Sequence, residues 1–310
     1  MKKSKRGIFF TLAAMALAIV VLLSFSVYKK YEMKENIDTI DVRIKTVSSF
    51  VKDVEQDLEK GLEIASFRAF TSMGQYIASN GTFITDLKGS FNSLILEGKL
   101  NSEEPSLMKD STFTDWVGKI EAQANKIGVL VNFTILEVEI NQTNPWHIGV
   151  NANINFTAQD NKNTSMWRRS KNITIQVNIE NFEDPLYLIN SYGRVTNSIV
   201  KSPITDFVNN NDVTNLMTHM NHSYYIESTT APSFLMRLQG DLSNSSTGIE
   251  SLINVQKFKD QGLIAKDRSV VDYIYFGSQN TVNYRINSTP SWFKLDSAHL
   301  AVYEVVNLTI

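Results

Sequence analysis

Residues 8–27 read IFFTLAAMALAIVVLLSFSV, twenty residues without a charge, directly after the basic leader MKKSKRG at residues 1–7. About 20 apolar residues is the length a helix needs to cross the hydrocarbon core of a bilayer. The run is too long, and too rich in Leu and Val at its end, for the apolar part of a cleaved secretory signal, and no small-x-small cleavage site follows it. The leader carries Lys2, Lys3, Lys5 and Arg6 without an acid, whereas Lys29, Lys30 and Lys34 on the far side are offset by Glu32 and Glu35. The positive-inside bias therefore predicts a transmembrane helix with its N-terminus in the cytoplasm and the rest of the chain outside. About seven residues are expected in the cytosol, too few for an output domain.

The 310 residues carry a net charge of −2, which gives no electrostatic footprint for nucleic acid; the one basic cluster is the leader. Cysteine is absent, so no disulfide framework, thiolate metal site or cysteine nucleophile is available. A domain outside the cell then has to hold by core packing alone. About 280 residues follow the span, enough for one large or two small domains. N-x-S/T sequons occur at Asn80, Asn132, Asn141, Asn155, Asn163, Asn172, Asn221, Asn244, Asn287 and Asn307, roughly double the chance expectation for this composition. Either an Asn-, Ser- and Thr-rich chain throws them up freely, or they mark a glycosylated surface protein. Exterior topology without cysteine, together with many sequons, fits an archaeal cell surface better than a eukaryotic one.

Beyond the span the helical pattern continues. Ile37, Ile40, Ile44, Val47, Val51, Val54 and Leu58 recur at alternating spacings of three and four, an a/d seam. Leu62, Ala65, Ala69 and Met73 extend the stripe past a bend expected at Gly61, and Asn80-Gly81 ends it. The seam has two readings: packing against the protein's own sheet, or a coiled coil with further copies of the chain. Residues 83–98 and 113–127 read as two shorter helices, the second capped by Thr114 or Asp115.

The period then switches to two. Ile148, Val150, Ala152, Ile154 and Phe156 alternate with polar residues, as do Ile173, Ile175, Val177 and Ile179, the pattern of half-buried strands. The run at 129–140 alternates as well, with a phase slip at Ile135-Leu136 that suggests a bulge. Short polar connections predict an antiparallel meander, closed by Asp184-Pro185, with the amphipathic helix as its cover. Asn132, Asn155 and Asn172 fall on its polar face. Asn209-Asn210-Asn211-Asp212 marks a turn or linker. The C-terminal part holds the apolar stretch PSFLMRL; 248–257 reads as a helix, and 269–276, 282–286 and 298–306 as strands.

Catalytic signatures are missing: no G-x-S-x-G, H-E-x-x-H, Walker loop, G-x-G-x-x-G or EF-hand loop occurs. His219 and His222, with Met217 and Met220, are a chemistry suited to copper, but nothing completes a shell. Glu137, Glu139 and Asp160 read as solvated. Asp160-Asn161-Lys162-Asn163 is spoiled as a calcium loop by Lys162. Trp167-Arg168-Arg169 reads as an exposed hairpin tip, or else a recognition patch for a partner or an anionic glycan. Asp272 sits inside the apolar run VVDYIYF, either on a polar face or buried with a specific partner. No catalytic, cofactor or metal residue is assigned, and no cofactor is expected.

Lys5-Arg6-Gly7-Ile8-Phe9-Phe10, followed by the apolar run and the amphipathic stripe, resembles the start of a type IV pilin precursor. The resemblance covers residues 1–79. It implies cleavage by a prepilin peptidase between Gly7 and Ile8 and packing of the apolar helix into a filament core. Bacterial pilins place a Glu five residues into the mature helix, where this chain has Leu12; archaeal members commonly lack that Glu, so the departure favours an archaeal reading.

The sequence thus predicts an α+β protein in five segments: the leader (1–7), the transmembrane helix (8–27), an amphipathic stalk helix (28–79), a helical insert plus antiparallel sheet (80–201) and a mixed α/β region (202–310). The expected function is that of a membrane-anchored, glycosylated, extracellular structural or adhesive protein, a pilin-like filament subunit or minor pilin and not an enzyme. Its expected partners are the lipid bilayer and, through the Ile37–Leu58 seam, other pilin-like subunits. The rivals are a membrane-tethered ligand-binding or sensory ectodomain and a surface-anchored hydrolase.

Overall fold

The computed structural model describes residues 5–161 and 165–310, with the side chains of residues 5–9, 11 and 35–40 excepted. The protein is α+β, with an N-terminal apolar helix and an antiparallel sheet. Helix α1 runs unbroken from Lys5 to Asn80. It stops where Gly81 takes a φ of +66°, a left-handed conformation that favours glycine, and donates its N–H to the Ile77 carbonyl at 2.9 Å. Gly61 does not interrupt it. A Cβ at that position would overlap the Trp116 ring, so Gly61 is the gap that admits an indole against the helix.

Helices α2 (Leu87–Glu97) and α3 (Phe113–Lys126) follow. The cap of α3 is Thr112, two residues before Thr114 and three before Asp115. Thr112 Oγ1 accepts the Asp115 N–H at 2.9 Å while Asp115 accepts the Thr112 N–H at 3.0 Å, a reciprocal capping box. Strands β1 (Val129–Asn144), β2 (His147–Asp160) and β3 (Met166–Asn178) form one sheet in that order. The period-two pattern is realised in β2, where Ile148, Val150, Ala152, Ile154, Phe156 and Ala158 are all buried. In β1 the inward phase passes from Ile135 to Val138, which places the slip where the sequence does.

The chain forms two compact units. The first takes the chain up to Gln56, Glu121–Asn132 and Phe156–Arg169. Val47, Val51 and Val54 of α1 are buried there, and Arg43 donates to the Asp160 carboxylate at 2.7 Å. Asp160 is therefore not the solvated acid its loop context suggests. It is only 3% exposed and takes part in this ion pair.

The second unit takes Asp57–Ile120, Phe133–Asn155 and Ser170–Ile310. Its C-terminal part is built from short elements: α4 (Pro185–Asn190), α5 (Thr214–His222), β4 (Tyr225–Glu227), α6 (Phe234–Gln239), β5 (Ile249–Ser251), α7 (Val255–Asp260), α8 (Asp272–Phe276), β6 (Asn283–Arg285) and β7 (Lys294–Asp296). β4 pairs antiparallel with β5, Tyr225 opposite Ser251, and β6 pairs antiparallel with β7. Asn209–Asp212 closes a two-residue turn, with Asn210 and Asn211 at φ of 48° and 72°, the geometry of a type I′ hairpin. Tyr187, Leu216, Ile253, Phe293 and Tyr303 lie in one buried apolar cluster.

Three expectations fail in this region. Residues 269–276 are not a strand; their second half is helix α8, all five residues of which are buried. A segment buried on every side carries no period, so its sequence does not separate strand from helix. Residues 248–257 begin as strand β5, and helix α7 starts only after Asn254, whose side chain caps it. Residues 298–306 form turns ahead of a 3₁₀ turn at Val306–Leu308, not a strand.

Candidate functional site

The first candidate is the surface of α1. Residues Leu12–Lys34 are the one stretch, among the described residues, long and apolar enough to cross a membrane, and none of it is buried. Phe10 is 74% exposed, and Leu12, Leu17, Leu22, Phe25 and Tyr31 are exposed as well. Water-soluble surfaces rarely carry so large a continuous apolar patch. Gly7 and Ile8, which flank the expected cleavage, have backbones within α1, and their side chains lie outside the described residues. So do those of Ile37 and Ile40. Of the remaining seam, Ile44 is exposed, whereas Val47, Val51, Val54 and Leu58 are covered by the protein's own chain.

The sequon asparagines form the second group. Asn80, Asn132, Asn141, Asn155, Asn172, Asn221, Asn244, Asn287 and Asn307 are all exposed, and Asn163 lies outside the described residues. Asn155 alternates with buried Ile154 and Phe156, and Asn172 precedes buried Ile173, so these strand positions have the outward phase expected of them.

The third group is a pair of buried ionic centres in the second unit. Arg237, on α6, is fully enclosed. Its Nη1 donates to Asp184 Oδ2 at 2.6 Å and to Asp272 Oδ2 at 2.9 Å, and its Nη2 donates to the Ile249 carbonyl. The two carboxylates also serve short helices. Asp184 caps α4 through the Leu186 N–H, and Asp272 opens α8 and accepts the Ser251 N–H and hydroxyl. Tyr225 Oη donates to Asp184 at 2.7 Å. Burial pushes the Asp272 carboxyl up to about 6; Arg237 pulls against that shift, and the neighbouring Asp184 adds to it. Asp272 is thus the buried acid with a specific partner. The partner itself was concealed in the sequence as a lone Arg inside FLMRL.

The neighbouring residue on β5 serves the other centre. Glu250 Oε2 lies 3.3 Å from His299 Nε2, and Asp296 lies 2.8 Å from His299 Nδ1. Tyr303 Oη donates to Glu250 at 2.9 Å, and Tyr273 Oη lies 3.2 Å from His299 Nε2. Burial works against the imidazolium, but Asp296 and Glu250 outweigh it and hold the His299 pKa up to about 10. His299 lines a cavity of about 380 Å³ with Ser228, Thr230 and Ser246. The two carboxylates favour its protonated form.

His219 and His222 do not share a site. His219 is buried beside Phe207 with Nδ1 3.0 Å from the Ser202 hydroxyl, and burial lowers its pKa to about 4. His222 is exposed and stacks on Tyr224. No cluster of His, Asp or Glu among the described residues has the arrangement of a metal site. Trp167 is half-buried, and Arg168 and Arg169 are exposed on β3. Glu137 and Glu139 are exposed, as expected.

No protein family, no curated protein and no solved structure matches this chain.

Proposed function

We propose that the protein is anchored in a membrane by the N-terminal part of α1, with its N-terminus in the cytoplasm and its remaining mass outside the cell, where it has a structural or adhesive role rather than an enzymatic one. The observation that carries this reading is the apolar surface of residues 12–27, exposed along its whole length, which water solvates poorly and lipid or other apolar helices would cover. The pilin-like form of the proposal is that cleavage between Gly7 and Ile8 frees α1 to pack with other copies in a filament, as a major or minor subunit of an archaeal surface fibre. The apolar surface N-terminal to Val47 supplies the contacts, because the later seam positions are already covered. Within the second unit, the buried stripe from Leu58 to Ile77 is the cover for the inner face of the sheet. The exposed sequon asparagines are the attachment points for glycans. A membrane-tethered ligand-binding domain is the second reading, favoured by a groove described below.

Expression with a C-terminal tag tests the topology. The protein is expected to stay in the membrane pellet after alkaline carbonate extraction, and the tag to be digested by protease added outside intact cells. Recovery in the soluble fraction, or a protected tag, refutes the anchor. N-terminal sequencing of native protein separates the pilin-like form, which starts at Ile8, from a plain signal anchor, which starts at Met1.

A further inference from the structure

A groove of about 390 Å³ opens in the second unit, lined mainly by apolar side chains, within the size range of small-molecule sites. Phe67, Phe70, Phe182 and Phe234 line it as a row of rings: Phe67 and Phe182 lie 5.1 Å apart between centroids, and Phe182 and Phe234 lie 5.7 Å apart. Phe67 is half exposed although it belongs to this row. Gly74 contributes backbone in place of a side chain, and nothing lies within 4 Å of where its Cβ would be.

One polar group in this lining stands out. Glu183 Oε1 accepts the Ser198 hydroxyl at 2.9 Å, but Glu183 Oε2 is buried and has no hydrogen-bond partner. A carboxylate oxygen withdrawn from water without a donor is costly, and a bound N–H would relieve that cost. Aromatic faces attract cations, and an apolar groove rewards a hydrocarbon body.

We infer that this groove is a binding site for an organic ammonium ion with an aromatic or branched apolar body, its N–H donating to Glu183 Oε2 and its hydrocarbon part lying along the phenylalanine row. Charge complementarity selects a cation over a neutral molecule of the same shape. The need for a donor selects a primary or secondary ammonium over a quaternary one. The inference does not depend on how the protein is anchored.

The test uses the full-length protein in nanodiscs, with heats from empty nanodiscs subtracted, and three probes: 2-phenylethylammonium, its N,N,N-trimethyl analogue and 2-phenylethanol. The ammonium ion is expected to bind about tenfold or more tightly than the alcohol, with the trimethyl analogue between them, since a hydrogen bond to a charged group is worth at least that factor. Glu183→Gln keeps the shape and the Ser198 contact and should remove about tenfold of the affinity for the ammonium ion while leaving the alcohol unchanged. Gly74→Leu fills the groove and should abolish binding of all three, with circular dichroism confirming an intact fold; if that variant unfolds, Glu183→Gln alone decides. Equal binding of the alcohol and the ammonium ion, an unaltered affinity in Glu183→Gln, or no binding of the ammonium ion at millimolar concentration overturns the inference.

Discussion

Replacing Arg237 by Met should be among the most damaging single changes in this protein, and the damage should depend on pH. Among the described residues, Arg237 is the sole cation within hydrogen-bond reach of Asp184 and Asp272, at 2.6 and 2.9 Å, and all three side chains are sealed from solvent. At an effective dielectric constant of about 20, two unit charges about 4 Å apart attract by about 4 kcal/mol. Removing one partner of such a buried pair typically costs about 3–5 kcal/mol, because the remaining charge stays enclosed and unpaired. At about 2–4 °C per kcal/mol for a unit of this size, the melting midpoint should fall by roughly 6–20 °C. The sign of the pH effect follows from the same geometry. Without the guanidinium, burial and the nearby Asp184 carboxylate raise the native-state pKa of Asp272 further above its unfolded value. The native state then holds protons that the unfolded state releases, so the variant loses stability as pH rises through this window. The deficit relative to the intact protein should be larger at pH 8 than at pH 5. Thermal unfolding followed by tryptophan fluorescence of the full-length protein in detergent measures it. A combined Arg237→Met, Asp184→Asn, Asp272→Asn variant removes all three charges and should recover most of the loss. A deficit under about 1 kcal/mol at pH 8, or one equal at both pH values, would refute the reasoning.

The folded protein keeps the His299 proton up to about pH 10, whereas an unfolded histidine releases it near 6.5. This contribution is complete below pH 6.5 and disappears as pH rises toward 10, a loss on the order of 5 kcal/mol that His299→Gln should flatten in alkaline melts. Gly61→Ala forces the Trp116 ring aside and should cost a net 1 kcal/mol or so after the gain in helix propensity, whereas Gly74→Ala meets only open space and should stabilise by about 1 kcal/mol; a thermal-melt comparison in which the two behave alike would contradict this.

The sequence was legible where one period persists over many residues. The helix from the apolar run to Asn80 and the inward phase of β2 and β3 all rest on patterns that repeat along the element. Legibility failed where the elements shrank. Strands β4 to β7 are three residues each, shorter than any window that separates a period of two from one of 3.6. Full burial of Asp272–Phe276 erased the alternation altogether. The ionic centres were hidden for another reason: Arg237 meets its acids across 53 and 35 residues, and such pairings leave no local trace. Asp272 signalled itself as an acid in an apolar run. Arg237 carried the same signal, and pairing the two oddities would have found the centre. The orphaned oxygen of Glu183 has no sequence signature at all.

The Arg237 centre also orders events during synthesis. Asp184 emerges first, Arg237 follows 53 residues later, and Asp272 another 35 after that. Until the last of these is free, the strand bearing Ile249 and Ser251 lacks the acid that receives the Ser251 N–H and hydroxyl. The C-terminal part therefore cannot mature piecemeal behind the ribosome. A fragment that stops short of residue 272 should be recognised by the cell as damaged goods, and any chaperone that serves this protein must hold it until Asp272 has left the ribosome.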